Sequence, residues 1–135
     1  PDLKFTEREI SGKLCQAEDY PERVEEAIRE MHRQVGDLKI NRQGLAERGL
    51  LVRHLVMPGG LAGTRKAMVF LSQGISPNTY VNIMAQFRPC GRAKDYPPLN
   101  RRISEVEFAE AVQIAEEEGI HRLDQRKGLR ALRFL

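Results

Sequence analysis

The sequence predicts an α/β fold of about three βα units, with parallel strands and one small hairpin. Three observations predict it. Strand-like and helix-like stretches alternate along the chain, the order that builds a parallel sheet. Gly49 to Gly60 holds a near-continuous Val/Leu-rich run, the pattern of a strand buried on both faces, and Pro58-Gly59-Gly60 stops it before a helical stretch. A second apolar run, Thr79 to Phe87, ends the same way in a loop, Arg88-Pro89-Cys90-Gly91-Arg92.

Taken in order, residues 1–5 read as a short strand and Thr6 to Asp19 as a loop or a short irregular helix around Gly12. Tyr20 to Val35 is the clearest helix. Val24, Ala27, Ile28, Met31 and Val35 form one apolar stripe, Pro21 suits the first turn, and Gly36 is a natural stop. Residues 38–40 and 45–47 flank Asn41-Arg42-Gln43-Gly44, a turn signal, and predict the hairpin. The central strand covers about 50–57. Thr64 is placed to cap a helix over about 65–73, which Gly74 ends, and 79–87 forms the next strand. Ser104-Glu105-Val106-Glu107 has capping-box spacing and opens a helix to about Glu118. Gly119 stops it, and 120–123 reads as a last short strand. From Asp124 to Leu135 a basic tail follows, with Leu129, Leu132 and Leu135 spaced for a short helix against the body.

The 135 residues suffice for one domain with a core, and 41% hydrophobic with 30% charged residues is a globular balance. No apolar run approaches membrane-spanning length, and Pro1-Asp2-Leu3-Lys4-Phe5 is no signal peptide. The start without Met fits a processed chain or a piece of something longer. Net charge is only +3, concentrated at Arg88 to Lys94, Arg101-Arg102 and the tail. A basic tail can bind a polyanion, but aromatics are 6% with no Trp, which weighs against nucleic-acid binding by base stacking. Cys15 and Cys90 lie far apart and form no CxxC or zinc-type spacing, so no metal site is expected, and reduced thiols in the cytoplasm are the default.

Right-handed crossovers bring the ends of the strands at 1–5, 50–57 and 79–87 to one edge of the sheet. Their polar residues are then neighbours: Asp2 and Lys4, Arg53 and His54, Gln86 and Arg88. Asp2 and Lys4, two apart on a strand, share a face. Together they either bind a zwitterion or pair with each other. A charge in a buried strand needs a partner, so Arg53 either binds a carboxylate or phosphate or pairs with Asp2 or an acidic helix residue. His54 points to the other face, as a satisfied packing histidine. Gly59-Gly60 admits a close-lying ligand or is simple turn chemistry. Cys90 among cations is either a reactive thiol or an idle one.

Three stretches in this order resemble the carboxy-terminal half of radical S-adenosylmethionine proteins. They are Pro1-Asp2-Leu3-Lys4, Val52-Arg53-His54-Leu55-Val56-Met57-Pro58-Gly59-Gly60 and Tyr80-Val81-Asn82-Ile83-Met84-Ala85-Gln86-Phe87-Arg88-Pro89-Cys90. The nearest branch is that of proteins related to pyruvate formate-lyase activating enzyme. The similarity runs from residue 1 to about Asp124, and the motifs are moderately specific as a set. The resemblance implies a (β/α)6 partial barrel, of which residues 1–124 are the carboxy-terminal half and 125–135 a basic tail. It implies an iron–sulfur oxidoreductase that uses S-adenosylmethionine and a 4Fe–4S cluster to generate a 5′-deoxyadenosyl radical for hydrogen abstraction. Asp2 and Lys4 match an Asp-x-Lys that contacts the methionine end of the cofactor, and Arg53 matches a strand arginine close to it. Gln86, Phe87 and Arg88 fall where activating enzymes place, after the sixth strand, a histidine that is absent here.

The CxxxCxxC that holds the cluster is also absent, and Cys15 and Cys90 do not replace it. The resemblance therefore implies a missing amino-terminal half of the barrel as partner, a possible protein substrate, and no cluster or turnover for this chain alone. A half barrel also exposes a sheet edge that invites self-association. The competing reading is a small α/β binding module whose basic tail takes an anion, a nucleic acid or a protein partner.

Overall fold

The computed structural model describes residues 1–124. The basic tail expected over 125–135, with its short helix, lies outside the described residues.

The chain is mixed α/β, with a four-stranded parallel sheet and a small antiparallel hairpin. In order it runs through β1 (Asp2–Leu3), α1 (Arg8–Cys15), α2 (Tyr20–Val35), β2 (Lys39–Ile40), β3 (Ala46–Arg48), β4 (Leu51–Leu55), α3 (Thr64–Val69), β5 (Tyr80–Met84), α4 (Glu105–Glu117) and β6 (Arg122–Leu123). A 3-10 turn covers Pro58–Gly60, a π-helical turn Phe70–Ile75 continues α3, and a second 3-10 turn covers Gly91–Asp95. The expected elements are present, several of them shorter. The strand expected over 79–87 stops at Met84, so Gln86 and Arg88 lie in the loop beyond it.

The sheet order is β1-β4-β5-β6, sequence order with the hairpin set aside. A sheet that grows in one direction through right-handed crossovers receives every crossover helix on the same face. The core agrees. Leu3, Val52, Val81 and Ile83 from the sheet pack with Ile28 of α2, Ala67 and Met68 of α3, and Ala111 and Ala115 of α4. Each large side chain buried there contributes about 1.5–3 kcal/mol. A second apolar cluster sits past the carboxyl ends of the strands. There Phe5, Met57 and Ala62 pack with Ile10 and Leu14 of α1 and with Phe87.

The other face of the sheet has no such layer among the described residues. In β4, Val52 and His54 are buried, whereas Leu51, Arg53 and Leu55 are at least partly exposed. This corrects the expectation of a strand buried on both faces. Helices α2, α3 and α4 lie on one side, so β4 alternates.

Local chemistry follows the sequence closely in places. Ser104 and Glu107 form the expected capping box, each bonding the other's backbone amide at 2.8 and 3.1 Å. Glu107 also accepts from the Gly59 amide at 2.8 Å, so α4 holds the glycine turn. Gly59 and Gly60 have φ of 68° and 71°, a region that favours glycine. Turn chemistry accounts for the pair. In the hairpin the Asn41 side chain accepts from the amides of Gln43 and Leu45, both at 3.0 Å.

Thr64 departs from its expected role. It is the first residue of α3, Gly63 is the cap residue, and no side-chain cap bond forms there. Its hydroxyl is used by His54, which is fully buried between β1 and α3. His54 Nδ1 lies 2.8 Å from the Leu3 carbonyl oxygen and Nε2 lies 3.0 Å from Thr64 Oγ1. A carbonyl only accepts, so Nδ1 carries the proton and Nε2 accepts from the hydroxyl. Burial lowers the His54 pKa from its ordinary 6.5, outweighing the opposing effect of the Leu3 carbonyl.

His54→Ala leaves a void and strips partners from Leu3 and Thr64. It is expected to cost about 2–4 kcal/mol, read as a lower urea midpoint. The depressed pKa gives the sign with pH. The neutral ring's contribution is fully present above about 6.5, the unfolded value, and is lost as pH falls toward the folded value. Urea midpoints measured from neutral to mildly acid pH are expected to fall in the native chain, and less in the variant.

Candidate functional site

The site is built on the open face of the sheet, where β1 and β4 lie side by side. Their register pairs Asp2 with Arg53 and Leu3 with His54. Side chains alternate along a strand, so Leu3 and His54 enter the core while Asp2, Lys4 and Arg53 share the opposite face. Arg53 Nε donates to Asp2 Oδ1 at 2.6 Å, and Lys4 Nζ lies 3.2 Å from Asp2 Oδ2. One carboxylate thus holds two cations. The Arg53 side chain is 51% exposed and that of Asp2 24%. The unexplained charge of the central strand is therefore a half-open arginine with an acidic neighbour, rather than a buried ion.

The electrostatics agree with the geometry. Partial burial of Asp2 works to raise its pKa, but the hydrogen bonds from Arg53 and Lys4 outweigh this and hold it below the usual carboxylate range. Asp2 stays ionised at neutral pH.

Tyr20, the first residue of α2, positions β1. Its hydroxyl donates to the Asp2 carbonyl oxygen at 3.0 Å and accepts from the Lys4 amide at 3.1 Å. Burial pushes the Tyr20 pKa up, so the group stays a phenol. Strand β1 turns the Pro1 carbonyl toward β4, where it accepts from the Arg53 amide at 2.9 Å. The Asp2 carbonyl and Lys4 amide therefore point to the outer edge, which Tyr20 partly caps. The ring of Phe5 meets that of Tyr20 edge-on, 5.9 Å between centroids.

The fold brings together Asp2, Lys4 and Arg53. Gln86 and Arg88 are exposed in the loop two and four residues past the end of β5, and neither bonds to the trio. Asn82 is a further member that the sequence reading passed over. It lies in register with Arg53 on the next strand, on the same face, and is half-buried. Its signal was there in the sequence: a polar residue between Val81 and Ile83 interrupts an apolar run just as Arg53 does. Tyr20 carried no comparable signal, since its partners are backbone groups of a strand sixteen or more residues away. Among the described residues no three His, Cys, Asp or Glu side chains gather as metal ligands, and no helix is long and apolar enough to cross a membrane.

The charged trio is a poor source of stability, because solvent screens its pairs. Arg53→Ala and Asp2→Asn are each expected to change unfolding free energy by less than about 1 kcal/mol, measured by urea titration at neutral pH. The depressed Asp2 pKa makes its contribution fully present above its unfolded value near 3.8 and lost as pH falls below that, so the native chain and Asp2→Asn are expected to converge in acid.

Comparison with known proteins finds a protein of Methanocaldococcus jannaschii, named only as uncharacterized, that is 32% identical over 116 residues. The alignment covers 85% of this chain and 30% of that relative, so the chain spans less than a third of the relative's length. No protein-family model matches the chain, and no solved structure matches it.

Proposed function

We propose that residues 1–124 are the carboxy-terminal half of a radical S-adenosylmethionine partial barrel related to pyruvate formate-lyase activating enzyme, acting in the cytoplasm as part of a longer protein. The observation that carries this reading is the trio Asp2, Lys4 and Arg53 on the open face. The one-sided sheet supports it, because strands in sequence order with α2, α3 and α4 on one face are what a barrel wall requires. The short coverage of the archaeal relative is consistent with it.

The residues present fit the methionyl end of the cofactor. The Asp2 carboxylate complements an ammonium, and Lys4 and Arg53 complement a carboxylate. Their internal pairs are solvent-exposed and weak, so exchanging them for a zwitterion costs little. Tyr20 fixes the backbone that carries Asp2 and Lys4, and His54 fixes the register that sets Arg53 beside them. When bound, S-adenosylmethionine supplies a 5′-deoxyadenosyl group for hydrogen abstraction. Gln86 and Arg88, on the loop past β5, are assigned to the same cofactor pocket as its outer wall.

The residues present do not fit an iron–sulfur cluster. The two cysteines are both exposed, and no third ligand joins them among the described residues. In this reading the cluster is ligated by an amino-terminal half of the barrel. That half pairs along the edge of β1, displacing or bypassing the Tyr20 cap.

In the intact protein that carries this chain, Asp2→Asn, Lys4→Ala and Arg53→Ala are each expected to weaken S-adenosylmethionine binding about tenfold or more, near 1.4 kcal/mol, with circular dichroism and urea midpoint retained. Unchanged binding in all three variants overturns the reading. The isolated chain, reconstituted anaerobically with iron and sulfide, is expected to show neither cluster absorption nor cofactor cleavage.

A further inference from the structure

The two cysteines are 75 positions apart in sequence, and the fold brings both to the wall of one pocket of about 390 Å³. Cys15 is the last residue of α1, in the segment that follows β1, and Cys90 lies in the segment that follows β5. Both segments leave the carboxyl ends of their strands, the side on which parallel sheets place ligands. Both thiols are free and exposed. Lys13 and Arg92 line the same pocket and give it positive charge. Tyr96 lines it as well, and its hydroxyl accepts from Arg92 Nη2 at 3.2 Å.

We infer that this pocket is a dithiol site that exchanges with small anionic disulfides and closes to a Cys15–Cys90 disulfide. Two arguments select this chemistry. A tetrahedral metal centre needs further donors, and among the described residues no group of three His, Cys, Asp or Glu supplies them. A disulfide carrying carboxylates is drawn by Lys13 and Arg92 into a pocket that both cysteines line.

The exchange balances without another reagent. One cysteine thiolate attacks a sulfur of the bound disulfide, forming a mixed disulfide and releasing the first small thiolate, which takes up a proton. The second cysteine thiolate then attacks the protein sulfur of the mixed disulfide and releases the second small thiol. The protein dithiol loses two electrons and two protons, and one small disulfide becomes two thiols. The product ties α1 to the loop after β5. This site is separate from the charged trio, and its test stands whether or not the chain belongs to a radical enzyme.

The test uses the reduced chain and oxidised glutathione, read by intact mass and by peptide mapping. The expected result is a monomer lighter by two hydrogens, with a Cys15–Cys90 linked peptide. Cys15→Ser and Cys90→Ser are each expected to stop at the singly glutathionylated form. Both positions are exposed, so neither substitution threatens the fold. Simultaneous glutathionylation of both cysteines, disulfide-linked dimers, or two unreacted thiols would overturn the inference.

Discussion

Strand β1 is two residues long, yet the charged face depends on it, and a pair of hydrogen bonds from one buried ring holds it in place. His54 ties the Leu3 carbonyl of β1 to the Thr64 hydroxyl of α3 from its position in β4. A two-residue strand has too few ladder bonds to define its own register. The ring adds a bond that forms only when Leu3 lies opposite His54, and that register sets Asp2 opposite Arg53. Slipping by one residue would send Asp2 into the core and Leu3 to the open side. The neutral state of the ring is part of the device, since a charged imidazole in that position would lose its acceptor nitrogen and carry a buried charge.

From that register the two faces of the sheet acquire different roles. One face takes Leu3, Val52, Val81 and Ile83 into a core shared with three helices. The other carries a row of polar groups across the strands, Asp2, Arg53 and Asn82. An uncovered sheet face is ordinarily polar. This one keeps an ionised carboxylate between two cations at a cost that exposure makes small and for a stability gain that exposure also makes small. The trio therefore contributes little to stability, and under the proposed function it serves to recognise a charged small molecule.

The segments beyond the carboxyl ends of the strands form a third layer. Phe5, Met57 and Phe87 join α1 there, and Glu107 reaches from the start of α4 to hold the Gly59 amide. Arg101 beside it, together with the Gly59 and Ser104 amides, keeps the Glu107 carboxyl well below the usual range, so the clamp persists across physiological pH. The pocket with the two cysteines belongs to the same end of the sheet. Glycine turn and thiol pair thus sit at one end of the sheet, supplied by the segments that follow β1, β4 and β5, while the charged trio lies on the open face.

Much was legible in the chain itself. The apolar stripe of 20–35, the Ser104–Glu107 spacing and the Asn41–Gly44 turn declared their elements, because each depends on residues within one or two turns of each other. The α/β class followed from the order of those elements, and the shared face of Asp2 and Lys4 from the period of a strand. What the sequence could not express is which face of a strand meets the helices. An apolar run with one arginine reads as doubly buried, and only the one-sided placement of α2, α3 and α4 left Arg53 half open. Thr64 has the place of a cap in the sequence, but its hydroxyl serves His54, and Tyr20 is visible only through its partners on another element. Local pattern determined the elements and their order. Tertiary structure decided the register, the open face, and which distant groups meet on it, because those depend on contacts between residues sixteen to fifty-one positions apart.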